Sequence, residues 1–191
     1  MITRTLIFLI ETAAGIFTLV FLLRFYLQWA RAPQRNPISD FVNALTNFAV
    51  RPARRVIPGL WGLDLASLAL AWLVQFIELF LVLQLRGYEF GTAPAQAILA
   101  MLLLAAVMLM RLSLYVVIVV LIAQAVLSWV NPYSPVAPLL NALARPFLRP
   151  FQRLIPPVAN VDLSPLFVII ACQLLLMLPL AYLEGALTRL L

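Results

Sequence analysis

Seven side chains able to carry charge or relay hydrogen bonds fall inside or beside long apolar runs: Glu11, Arg24, Gln75, Glu78, Arg111, Gln124 and Gln173. An ionised group in hydrocarbon is costly unless it is paired, faces a water-filled cavity or reaches the surface. Glu11, Glu78 and Arg111 have the types needed for a buried ionic network, or for lining a narrow polar path. Beyond them the means for chemistry are thin. The chain has no histidine and no lysine, so its hydroxyl groups lack a base. Its one cysteine, Cys172, lies deep in an apolar segment, which rules out an intramolecular disulfide and leaves almost no ligand set for zinc or a transition metal. The six glycines are scattered and build no phosphate-cradling loop. The residues read as a non-enzymatic protein with neither cofactor nor metal.

The elements that must hold these groups are membrane spans. Of 191 residues, 65% are hydrophobic and 10% charged, with a mean hydropathy of +1.07, far too apolar for a soluble domain. Apolar runs of about 20 residues cross ~30 Å of hydrocarbon as helices. They occur at about 6–29, 65–85, 95–130 and 165–183. The third stretch is interrupted at Arg111 but has no turn residue there, so one long helix is the economical reading. Pro179 predicts a kink near the outer end of the fourth. The fold class is all-α: a polytopic helical membrane bundle of four spans.

The polar residues between the spans form a pattern that occurs twice. Asn43, Arg51-Pro52, Arg55, Ile57-Pro58 and Asp64 in the first copy match Asn141, Arg149-Pro150, Arg153, Ile155-Pro156 and Asp162 in the second, always 98 positions apart. The chain is therefore a tandem duplication, with a first module over 1–90 and a second over 91–191. Each module has two spans joined by an amphipathic, Pro/Arg-rich loop. In the first loop Ile38, Phe41, Val42, Leu45 and Phe48 recur at helical spacing, with Ser39 as the expected cap. Such a helix should lie along the membrane surface. In the second loop Pro146 and Pro150 predict an interrupted helix. Asp64 and Asp162 stand where a carboxylate caps the returning span, with Arg55 or Arg153 as a possible ion-pair partner, and Ser164-Pro165 supplies another cap with proline at the first turn.

Duplication also predicts partners inside the bundle. Gln75 and Gln173 are one repeat apart and are expected to face each other or equivalent neighbours. With Trp29 matched to Trp129, Glu11 maps onto Arg111 and Arg24 onto Gln124. Glu11 and Arg111 are thus expected to pair between modules, with Glu78 a competitor.

All thirteen basic residues are arginines, giving a net charge of +6. In a membrane protein that excess points to orientation and anionic phospholipids ahead of nucleic acid, which is not expected as a direct ligand. Arg31, Arg35, Arg51, Arg54, Arg55, Arg145, Arg149 and Arg153 lie in the two long loops, against Arg4, Arg86 and Arg189 on the other side. This bias puts both loops in the cytoplasm and both termini outside, in a bacterial inner membrane. The arginines Arg51, Arg54, Arg55, Arg145, Arg149 and Arg153 are candidates for docking lipid phosphates or a membrane-protein partner, and a homo-oligomer is open.

The second copy reads Leu127-Ser128-Trp129, Asn131-Pro132, Ser134-Pro135, Asn141, Arg145-Pro146-Phe147-Leu148-Arg149-Pro150, Arg153-Leu154-Ile155-Pro156-Pro157 and Asp162-Leu163-Ser164-Pro165. That string closely resembles the YggT family of small bacterial membrane proteins, which has chloroplast relatives, and the resemblance covers both halves. The first copy departs from it, with Phe48 where the second has Pro146, and Ala66-Ser67 for Ser164-Pro165. The resemblance implies an accessory factor, connected variously with osmotic or envelope stress, cell division, nucleoid distribution or membrane-complex assembly. The residues themselves leave open a small oligomeric ion or solute pathway.

Overall fold

Each apolar run is long enough to close its own backbone hydrogen bonds across a bilayer, which is the condition for spanning it as a helix. The computed structural model describes residues 1–33, 36–59, 62–88, 94–131, 133–154 and 162–191. It contains α1 (Ile2–Trp29), α2 (Pro37–Val56), α3 (Leu65–Leu85), α4 (Pro94–Val130), α5 (Ala137–Leu154), α6 (Ser164–Leu175) and α7 (Ala181–Thr188), the last two joined by a π-helical turn over Leu176–Leu180. Four helical stretches among the described residues are long and apolar enough to cross a membrane: α1, α3, α4 and the continuous Ser164–Thr188 stretch. Residues 95–130 do form one helix, α4, whose 37 residues span about 55 Å and so exceed the hydrocarbon thickness unless tilted. At Pro179, where a kink is expected, the missing N–H is accommodated by the π-helical turn.

Both modules follow one plan: a span, an amphipathic helix, and a returning span. Antiparallel order therefore puts α2 and α5 on one side, the loop side, and both chain ends on the other. Local signals set the boundaries. The proline at Pro37 drives Asn36 into an extended conformation, and the Asn36 Oδ1 accepts the Ser39 N–H at 2.9 Å. Asn36 is thus the cap of α2, and Ser39, the expected one, is a first-turn donor. Spans α1 and α3 end alike. The N–H of Ala32 reaches Leu27 O at 3.0 Å, and that of Tyr88 reaches Leu83 O at 3.0 Å, each closing the last turn over a left-handed residue. That residue is Gly87 in α3, but Arg31, with φ 51°, in α1.

The amphipathic helices do not lie flat against the bundle's end. As α2 advances from Thr46 through Phe48, its partners on α1 step back from Arg24 to Phe17, so α2 folds back along α1. α5 does the same on α4: Asn141 meets Gln124, and Ala144 and Leu148 pack with Val117, Ile118 and Leu121. α2 divides its apolar positions between two faces. Val42 and Val50 are buried in the bundle, while Phe41 and Phe48 point outward, 61% and 67% exposed, in a stripe with Ile38 and Leu45 suited to lipid. The interruption expected in α5 does not occur, and the helix is continuous through Pro146 and Pro150. Four residues apart, the two rings share a helix face, and packing of Leu139, Leu143, Ala144 and Leu148 holds the helix on the bundle.

In the core, α1 packs along α3, α3 along α4, and α4 against α5, α6 and α7. Small residues permit the closest approach: Ala71 and Ser67 of α3 are fully enclosed against α1. Tyr26 of α1 borders all three hydrophobic clusters and hydrogen-bonds Ser113 of α4. Trp72 Nε1 donates to Leu102 O at 3.2 Å, a second polar link between the modules.

Candidate functional site

Two polar assemblies form at equivalent places, where the amphipathic helix meets its spans, and each contains one aspartate of the repeated pair, Asp64 or Asp162. In the first module Asp64, 2% exposed, receives Arg54 Nη2 at 2.6 Å and Arg54 Nε at 3.2 Å, and lies 3.4 Å from Arg24 Nε. It also caps α3, accepting from the Ser67 N–H and from Ser67 Oγ at 2.7 Å. Arg24, 8% exposed, spends its Nη1 on Thr46 Oγ1 at 2.6 Å and Asn47 Oδ1 at 2.9 Å. Gln28 joins the group, accepting from Arg54 at 3.3 Å and donating to Gly62 O at 3.0 Å. One carboxylate thus ties α1, α2 and α3 together. Burial pushes the Asp64 carboxyl up, but hydrogen bonds from Arg54 and Ser67 and the charge of Arg54 outweigh it and leave it below the usual range. The same bond to Asp64 holds the Arg54 guanidinium above its ordinary value.

In the second module the frame is retained and both cations are absent. Gln124 stands for Arg24 and Gln152 for Arg54. Gln124 Nε2 donates to Asn141 Oδ1 at 3.2 Å, Gln152 Nε2 to Asp162 Oδ2 at 2.8 Å, and the Ser164 N–H to Asp162 Oδ1 at 2.9 Å. Asp162 is exposed; burial raises its carboxyl, and the Ser164 and Gln152 hydrogen bonds bring it below the usual range. Gln124 Oε1 and Ser164 Oγ are buried with no hydrogen-bond partner among the described residues. The expected aspartate cap is made by Asp64 on α3; α6 has Leu163 as its N-cap, Ser164 does not cap it, and Asp162, one residue further out, accepts only the Ser164 N–H from that helix. The expected ion-pair partners differ as well. Asp64 pairs with Arg54 and Arg24 and not Arg55, and Asp162 meets Gln152 and not Arg153, because position 54 and its counterpart 152 face the returning span.

Two stripes at four-residue spacing run along the amphipathic helices, Asn43, Asn47, Arg51 and Arg55 on α2, and Asn141, Arg145, Arg149 and Arg153 on α5, with Asn47 and Asn141 also members of the assemblies. All the arginines in them are exposed and have no ion-pair or hydrogen-bond partner among the described residues. α5 contains no acidic residue at all. Pro52, Pro58 and Pro150 are exposed, Pro146 is half-buried, and Pro165 sits in the first turn of α6. Pro156 lies outside the described residues.

The charges within the spans find other partners than expected. Glu11 lies 3.8 Å from Arg86, Gln75 Nε2 donates to Glu78 Oε2 at 2.8 Å, and Arg111 Nη1 lies 2.6 Å from Glu184 Oε2. The Glu11–Arg111 pair is not formed because α1 presents Glu11 beside α3, whereas α4 presents Arg111 to α7. Gln75 is buried but Gln173 is exposed, so the one-repeat relation does not make them neighbours. Residues missed from sequence are Gln28, Thr46, Asn47 and Ser67. The sequence did carry a signal for the Arg24–Arg54 association, since both become glutamine across the duplication, as members of one assembly would.

Fold and assemblies together define a helical multi-pass membrane protein built from two copies of a span–amphipathic helix–span module. The family model described as CCB3/YggT matches residues 3–85 and again 97–183, and the chain belongs to this family. It is 40% identical to an uncharacterized protein of Pseudomonas aeruginosa over 90% of this chain and 86% of the relative. It is 33% identical to the uncharacterized protein YggT of Escherichia coli K12, over 87% of this chain and 85% of that protein. An uncharacterized Vibrio alginolyticus protein from the proC 3′ region is 32% identical over 87% of this chain and 88% of its own length. No solved structure matches the chain.

Proposed function

We propose that the protein is a non-enzymatic scaffold or accessory factor of the bacterial inner membrane, with the loop side in the cytoplasm and both termini outside. The carrying observation is the α5 stripe of Arg145, Arg149 and Arg153, three exposed guanidinium groups on a helix without a carboxylate. Unpaired arginines in a row favour an acidic protein surface, with anionic phospholipid headgroups as competitors for the same charge. The buried face of α5 fixes the stripe on the bundle, so presenting it requires no rearrangement. A role in osmotic or envelope stress, division or membrane-complex assembly agrees with a docking platform of this kind. Photo-crosslinking probes placed along α5 in cells should capture a specific membrane-protein partner. Arg149→Glu with Arg153→Glu should abolish that product, while lipid and self-crosslinks alone would refute protein docking.

A second reading, an oligomeric ion or solute pathway, draws on Glu78, half-buried within α3 and bonded to Gln75. Conduction in reconstituted vesicles that disappears with Glu78→Gln would favour it.

A further inference from the structure

The two assemblies border equivalent cavities that differ in size and charge. Arg24, Leu27, Gln28, Asn43 and Arg54 line a cavity of 310 Å³ in the first module. Its counterpart in the second, lined in part by Gln124, Leu127, Ser128 and Asn141, has only 70 Å³. At ~30 Å³ per liquid water, the larger has room for a tetrahedral anion with part of its hydration, and the smaller for a water or two.

The unused groups around the larger cavity are mostly donors, the Asn43 Oδ1 being the exception. Arg24 Nη2, Arg54 Nη1 and the Asn43 amide have no partner among the described residues, while the acceptors Asp64, Thr46, Asn47 and Gln28 Oε1 are already engaged. Charge points the same way. Arg24 and Arg54 share the single carboxylate of Asp64, leaving one positive charge in excess, and the field of Arg51 also reaches Arg24. A guanidinium pair with free N–H groups matches phosphate oxygens in both geometry and sign. We infer that the first module binds one phosphate group in this cavity, held by Arg24, Arg54 and Asn43, and that the glutamine-lined second module does not. The phosphate can belong to a lipid headgroup or to a soluble ion. The site is independent of the α5 stripe, and its failure would leave partner docking untouched.

The test uses the full chain in phosphate-free maltoside micelles at constant ionic strength, with thermal unfolding followed as inorganic phosphate is added. A parallel arm mixes phosphatidic acid or phosphatidylglycerol into the micelles. A ligand bound by the folded state raises the midpoint with its concentration. Stabilisation in both arms would assign a site open to free phosphate, and stabilisation by the anionic lipids alone would assign a headgroup site. Asn43→Asp places a like charge in the cavity beside Arg24 and Arg54, competing with the phosphate while leaving Asp64 in place, and should weaken binding about tenfold or more. Asn141→Asp, at the equivalent place in the second module, should leave it unchanged. No stabilisation in either arm, or equal stabilisation of wild type and Asn43→Asp, would overturn the inference.

Discussion

Asp64→Ala should destabilise the folded chain by about 3 kcal/mol, at the lower end for breaking a buried ion pair. The cost comes mainly from Arg24, which would stay buried against Thr46 and Asn47 with no counter-charge. Arg54 contributes less, because 44% of its side chain is in solvent and its pairing is screened. Asp162→Ala removes the equivalent carboxylate, but that one is exposed and bonded only to amides, so about 1 kcal/mol or less is expected. Reversible unfolding in mixed micelles can compare the two. The same carboxylate sets a pH dependence. Its folded-state value lies below the ordinary one, so its stabilisation is present above about pH 4 and is lost as pH falls through the folded value. That acid-side loss should be absent from Asp64→Ala.

Tyr26→Ala should cost about as much, roughly 3 kcal/mol, by a different route. Tyr26 joins the modules: its hydroxyl bonds Ser113 of α4, and its ring packs at 6.2 Å from Phe147 of α5 and 5.8 Å from Trp29. Truncation leaves a void where α1, α4 and α5 meet, beside an existing cavity of 550 Å³ lined by Leu22, Phe25, Trp72 and Met110. Tyr26→Phe keeps the ring and loses one hydrogen bond, for about 1 kcal/mol. Unfolding midpoints of the two variants separate packing from hydrogen bonding. Equal losses would show that the hydroxyl, and not the ring, holds the modules together.

Much of this architecture is legible in the sequence because a bilayer leaves few choices. Runs of apolar residues gave all four spans, including the long α4, and the shared 98-residue spacing identified corresponding loops. Helix faces were harder to read. The apolar positions of α2 serve two environments, with Val42 turned to the bundle and Phe41 to its surroundings, and periodicity alone counts both as one stripe. Partner choice was least legible. Glu11 and Arg111 correspond in the repeat, yet correspondence between copies is not proximity: α1 and α4 occupy equivalent places in separate modules, and each charge meets whatever its own neighbour offers. Arg54 looked like a surface cation beside Arg51 and Arg55, but its turn of the helix faces Asp64. The continuous α5 shows the converse limit of a local rule, since packing on α4 and α6 outweighs two prolines whose own preference is to end a helix.

The division of labour between modules rests on where the arginines are spent. The first module draws Arg24 and Arg54 inward onto Asp64, and the second leaves Arg145, Arg149 and Arg153 to solvent. The most direct measurement is in-cell crosslinking from α5 in matched charge-reversal variants, Arg51→Glu with Arg55→Glu against Arg149→Glu with Arg153→Glu. A docking platform on α5 predicts that the partner product survives the first pair and disappears with the second. Equal loss from both pairs, or from neither, would contradict it and leave the arginines as general anchors at the membrane surface.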